Sequence, residues 1–206
     1  LNPQGERLGI PVRQSAESHQ AAVAEGKRRE LDDFVAKLYR HVRVHNYKKA
    51  WAEVEEHLQE TNYINVDDLF VRLCEWDDKK VASRLGSELI GRLVKNNEFD
   101  RALRVFRECC EMSDGNLRLP NGSVTLILVE RARDPTLKRY MYNTLQYFDK
   151  DFPNHPSTLK VFLMVAEMAL KNYDDKETGA LFLQKARDYE STVTEQEAHK
   201  SLSGLI

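Results

Sequence analysis

Apolar residues recur along this chain at helical spacing, interrupted by short polar turns. Leu89, Ile90, Leu93 and Val94 form one stripe, and Asn96-Asn97-Glu98 breaks it. Phe99, Ala102, Leu103, Phe106 and the Cys109–Cys110 pair then restart it, which predicts two helices meeting across a tight turn. The small Ala102 sits where the helices of an antiparallel hairpin must approach closely, with Phe99 and Phe106 one turn away on either side.

Upstream, Leu31, Phe34, Val35, Leu38 and Val42 predict a helix over 29–44. His45-Asn46 turns the chain, and Tyr47, Ala50, Trp51, Val54 and Leu58 face inward from a second helix over 47–58. Asn65 or Asp67 caps a short helix carrying Leu69, Phe70, Leu73 and Cys74. Asp77 and Asp78 favour the N-terminus of the helix that reaches Lys95. The first 26 residues hold Pro3, Gly5, Gly9 and Pro11 and few large apolar side chains. They predict a flexible lead-in over 1–26, with a frayed helix from about Ser15, before a helical domain over 27–206.

Downstream, Gly115, Pro120 and Gly122 place a loop at 113–123. The run Val124-Thr125-Leu126-Ile127-Leu128-Val129 is β-branched enough for a strand. A lone strand would have nothing to pair with, so a buried helix from Asn121 or Ser123 to Ala132 is expected. Asp134-Pro135 is an N-cap followed by proline at the first helical position. Leu137, Met141, Leu145, Phe148 and Phe152 line one face of that helix, and Pro153 and Pro156 punctuate its end. Asn154 is expected to cap the next helix, whose core at 161–170 is apolar on almost every side and so should be sandwiched between neighbours. Asp174-x-x-Glu177 reads as a capping box before a helix carrying Ala180, Leu181, Leu183, Ala186 and Tyr189. Thr194-x-x-Glu197 reads as the start of a short last helix with Leu202. The sum is an all-α chain of about nine helices.

The hairpin around Ala102 resembles a tetratricopeptide repeat. The second helix of that repeat carries a bulky residue, a small one three later and an aromatic four after that, here Phe99, Ala102 and Phe106. Tyr47, Ala50 and Val54 are similar, and Pro153 and Pro156 stand where such a unit closes. Ala50 and Ala102 lie farther apart than the ~34-residue repeat period, which an extra helix between the two hairpins explains. The resemblance implies a right-handed α-solenoid of antiparallel hairpins, acting as a non-catalytic protein–protein interaction module. Ligand peptides would lie against the first helices. The groove-facing positions would then be Val35, Tyr39, Val42 and Arg43 in the first hairpin, and Arg84, Ser87, Gly91, Val94 and Lys95 in the second. Arg43, Arg84 and Lys95 would make this face basic, suited to an acidic peptide, and Tyr39 would add an apolar anchor. The asparagines with which one tetratricopeptide subfamily grips chaperone C-termini are absent from these positions. The stretch from Leu89 to Phe106 also resembles a pentatricopeptide repeat, which would imply single-stranded RNA as the alternative ligand. The base-reading position before Leu89-Ile90 is Glu88, whose charge suits neither phosphate nor the usual small polar residue.

Charge and composition narrow these classes. Thirty-one Lys and Arg against 33 Asp and Glu leave a net charge of −2 over 206 residues, without the basic field that general nucleic-acid binding requires. Lys138-Arg139-Tyr140-Met141-Tyr142 interleaves basic and aromatic residues, but Met141 belongs to the core stripe, so a tyrosine at an inter-helix contact is expected. Cys74, Cys109 and Cys110 are odd in number and lack CxxC spacing, predicting free thiols in a reducing compartment. Of the vicinal pair, one thiol should pack and the other point sideways. His41 and His45 have the spacing of two metal ligands but no third ligand or HExxH glutamate; paired surface histidines are expected, and no cofactor. There is no Gly-rich phosphate loop, GxSxG motif or nucleophile–base spacing, so no enzyme is predicted. No run of 18 apolar residues and no signal peptide is present. A cytoplasmic location without membrane insertion by this segment is expected. Leucine at position 1 predicts a fragment or processed product, which could be the soluble part of a larger or membrane-anchored protein.

Overall fold

The computed structural model describes residues 12–113, 117–119 and 121–204. Among them are ten helices and no strand, so the chain is all-α. It divides into two compact units, Leu1–Val81 and Ala82–Ile206.

The first unit contains α1 (Val12–Arg43), α2 (Tyr47–Glu60) and α3 (Val66–Cys74). The predicted stripe of α1 is its buried face: Leu31, Val35, Leu38 and Val42 pack inward, as do Ala50, Trp51, Val54 and Leu58 of α2 and Val66, Leu69, Phe70 and Leu73 of α3. Each of the Leu, Val and Phe side chains contributes roughly 1.5–3 kcal/mol by leaving water. The helix α1 is longer than its core requires. Residues 12–26, read as the end of a lead-in with a frayed helix, continue α1 without a break, and the stretch from Ala16 to Glu30 has no buried side chain. The rest of the predicted lead-in, residues 1–11, lies outside the described residues.

The second unit holds most of α4 (Lys80–Lys95), then α5 (Phe99–Met112), α6 (Gly122–Arg131), α7 (Pro135–Leu145), α8 (Phe148–Asp151), α9 (Thr158–Lys171) and α10 (Lys176–Ser203). One hydrophobic core of this unit joins Tyr142 and Leu145 of α7, Phe148 of α8, Val161, Phe162, Val165, Ala166 and Ala169 of α9, and Phe182 and Ala186 of α10. The α9–α10 approach is close because Gly179 has no Cβ; one built there would lie 2.6 Å from Leu170 Cδ2. The ambiguous run after Asn121 is helix α6, capped by the Asn121 side chain on the Ser123 and Val124 amides. Asp134 caps α7 with Pro135 in its first turn.

Several sequence expectations are corrected here. One predicted helix from Asp134 to Phe152 is two, because the Tyr147 N–H bonds to Thr144 C=O at i+3 and interrupts the ladder. Asn154 does not cap α9; it adopts φ 60° in a turn, and α9 starts after Ser157. The cap of α10 is Asp175, whose side chain accepts from the Thr178 N–H, while Asp174 takes the left-handed turn conformation before it. Asp175 also accepts from the Tyr142 hydroxyl at 3.0 Å. The predicted final helix at Thr194 is not separate. No Gly or Pro interrupts 180–203, and Thr194 Oγ1 bonds back to Glu190 C=O rather than capping a new start. The face of 161–170 is only partly covered, with Leu163 47 % and Leu170 45 % exposed. The loop before α6 is less polar than its glycines suggest: Leu117 and Leu119 are buried, and the Leu117 carbonyl accepts from Thr144 Oγ1.

Three helices end in the same way. At the end of α1, Asn46 N–H reaches His41 C=O and His45 N–H reaches Val42 C=O. At the end of α4, Glu98 N–H reaches Leu93 C=O and Asn97 N–H reaches Val94 C=O; at the end of α2, Tyr63 and Asn62 reach Leu58 and Gln59. These paired bonds, with His45, Asn97 and Asn62 at φ 57°, 61° and 50°, are Schellman motifs that satisfy the last carbonyls. Two residues after His45 and Asn97 stand Tyr47 and Phe99, the first residues of α2 and α5. Each carries a cation on its ring: Lys80 Nζ lies 4.4 Å from the Tyr47 centroid and the Arg131 guanidinium 3.6 Å from that of Phe99. Three residues further on, Ala50 and Ala102 are both fully buried, and so are Val54 and Phe106 after them.

Candidate functional site

In the first unit, the end of α1 and the segment that follows α3 enclose an open cleft of about 500 Å³. The last turns of α1 supply Tyr39, Val42 and Arg43, and the Schellman turn supplies His45. The other wall is Glu75, Trp76, Asp77 and Asp78. Trp76 is set by the tightened end of α3, where the Glu75 and Trp76 amides reach the Arg72 and Leu73 carbonyls. Its ring meets Tyr39 edge to face, centroids 5.3 Å apart at 62°. Tyr39 is 48 % exposed, so the aromatic pair is accessible to a ligand.

A polar bracket holds one end of the cleft. The Tyr47 hydroxyl donates to the Asp78 carboxylate and lies 2.9 Å from His45 Nδ1. Asp78 also accepts from the Lys80 N–H at 3.0 Å. Burial pushes the Asp78 carboxyl upward. The Tyr47 hydroxyl, the Lys80 amide and the positive charges nearby outweigh it and hold the group below the usual carboxylate range. The same hydrogen bond to Asp78, reinforced by burial and the carboxylate charge, raises Tyr47. The pair is therefore an ionised aspartate held by a protonated phenol.

The nine positions implied by the tetratricopeptide resemblance divide by burial. Val35, Val42, Ser87 and Val94 are buried, at 7 %, 2 %, 8 % and 6 % exposure. Ser87 spends its hydroxyl on the Arg118 carbonyl. These four are packing residues, although Val42 forms part of the cleft floor. Gly91 is half-buried, with open space where a Cβ would stand. Tyr39, Arg43, Arg84 and Lys95 are exposed, and Arg84 and Glu88 each already have an interaction partner. Tyr39, Val42 and Arg43 come together at the cleft. Trp76 and Glu75, their neighbours there, belong to no predicted stripe. The available signal was a tryptophan lying off the helical pattern, between Cys74 and the Asp77-Asp78 pair.

The other candidate chemistry resolves into structure. His41 Nε2 lies 3.2 Å from Glu53 Oε1, and His45 faces Tyr47; among the described residues no group of three or more His, Cys, Asp or Glu could hold a metal ion. His57 stacks on Phe34 at 4.0 Å. His155 accepts the Ser157 N–H on Nδ1 and packs edge to face with Phe148. Met141 and Tyr142 are buried. Both Cys109 and Cys110 are buried, where one was expected to point sideways, because α6 and α7 both cover α5. Burial pushes the Cys110 thiol up to about 12, which leaves no reactive thiolate at neutral pH. No described helix is long and apolar enough to cross a membrane.

Compared with protein-family models, with curated proteins and with solved structures, the chain matches none.

Proposed function

We propose that this chain is a non-catalytic interaction module, a right-handed tetratricopeptide-like solenoid of helical hairpins that takes a protein segment in the Tyr39–Trp76 cleft. The hairpin-repeat part of this reading is supported by the common register behind two Schellman turns. Tyr47, Ala50 and Val54 follow one turn as Phe99, Ala102 and Phe106 follow the other, each with a cation on its first ring. The observation that carries the functional part is the accessible aromatic pair. Burying a tryptophan and a tyrosine supplies much of the energy of a protein contact, and such residues dominate interface hot spots. Against the single-stranded RNA reading, Glu88 is half-buried and already engaged.

Selection of displayed random peptides on the wild type and on a Tyr39→Ala/Trp76→Ala variant tests this. Both side chains are at least partly exposed, so the variant should stay folded, as circular dichroism would verify. Peptides enriched on the wild type and at least about tenfold weaker on the variant are the expected result, the effect of losing a hot spot of ~1.4 kcal/mol or more. Equal retention by both proteins would place binding elsewhere.

A further inference from the structure

Resting on that reading of the cleft, we infer that its ligand is a basic protein segment, one that sets a lysine or arginine against the Tyr39–Trp76 pair between the Glu75 and Asp77 carboxylates. This is opposite in sign to the acidic peptide implied by Arg43, Arg84 and Lys95 alone.

Three carboxylates, Glu75, Asp77 and Asp78, line the cleft against one guanidinium, that of Arg43. Asp78 is committed to Tyr47 and Lys80. Glu75 and Asp77 are exposed, and no hydrogen bond or ion pair among the described residues engages either carboxylate. Nearby cations are partly spent already: Lys79 Nζ donates to the Cys74 carbonyl and Lys80 lies on the Tyr47 ring. Two helices, α1 and α3, also end at this cleft, and a helix C-terminus carries partial negative charge. Aromatic rings add negative faces that attract a cation, most strongly when it is desolvated. Apart from the Arg43 guanidinium and those two lysines, an incoming carboxylate would meet these terms with the wrong sign. An incoming guanidinium or ammonium would stack on the aromatic pair and meet carboxylates at its rim. An apolar neighbour on the same segment would lie over Val42 at the cleft floor.

The peptides selected above decide the sign. Their composition should show Lys and Arg enriched at one or two positions, by about threefold or more over the input. A synthetic peptide of that consensus should bind several-fold more weakly when salt rises from about 0.05 to about 0.5 M, because exposed ion pairs are screened. Glu75→Gln/Asp77→Asn should weaken it about fivefold or more with an unchanged melting temperature. Selected sequences rich in Asp and Glu, or without charge preference, would overturn this inference while their dependence on Tyr39 and Trp76 kept the cleft as a binding site. Selected sequences indifferent to the Tyr39→Ala/Trp76→Ala variant would overturn the cleft reading itself.

Discussion

At the scale of single residues, polar side chains in the first unit are held by neighbours that set their ionisation. His57 is the clearest case. Its ring stacks on Phe34, and its Nε2 is buried with no hydrogen-bond partner among the described residues. Burial lowers its pKa below the usual imidazole value, and the charge of Glu60 only partly opposes this. The unfolded chain therefore binds a proton more readily than the folded one. The stability contributed by neutral His57 is present in full above the ordinary histidine range of about 6.5 and is lost as pH falls through it. Urea unfolding at about pH 7.5 and about pH 5.5 should show a loss of stability that His57→Gln makes smaller. Equal losses in the two proteins would assign the acid sensitivity to other groups.

Elements were legible where one periodicity ran unbroken between turn signals. The stripe from Leu31 to Val42 and the Asp134 cap were readable because spacing and capping chemistry agree there. So was the helix of α6, because a strand without a partner was excluded. The misplaced boundaries share a physical cause. Asn154, Asp174 and Thr194 are all competent caps, but a cap forms only where the backbone leaves the helix. At Thr194 nothing makes it leave, and at Asp174 the left-handed φ of 46° moves the cap one residue on. A small buried residue gives a test at this scale. Ala102 is fully buried on α5, and Leu in its place should cost ~1–3 kcal/mol by overpacking. Ala24 is exposed on α1, and Ala24→Leu should leave the melting temperature almost unchanged. Identical melting curves for the two variants would contradict the placement of Ala102 at a helix–helix contact.

On the scale of the whole molecule, periodicity conveyed the all-α class because each helix writes its own stripe. The proposed cleft was legible only in part. Tyr39 and Arg43, which line the cleft, come from a resemblance that assigns positions on first helices, but the same rule chose Val35, Ser87 and Val94, which are buried. Trp76 escaped because its place is set by the turn after α3, and no periodic pattern reports a turn. Trp76 lines the proposed cleft beside Tyr39 and is the residue there most open to direct observation. Its indole can be followed directly, since the chain has two tryptophans and the other, Trp51, is buried with its Nε1–H on Glu55. The decisive measurement is a titration of isotopically labelled protein with a peptide selected on the wild type, read by amide and indole chemical shifts. The Trp76 indole and the amides of residues 39–45 and 75–78 should move together and saturate at one affinity, with Trp51 unmoved. Shifts that gather instead on α9 and α10, around the exposed Leu163, Leu170 and Leu181, with Trp76 silent, would contradict the cleft as the site of binding.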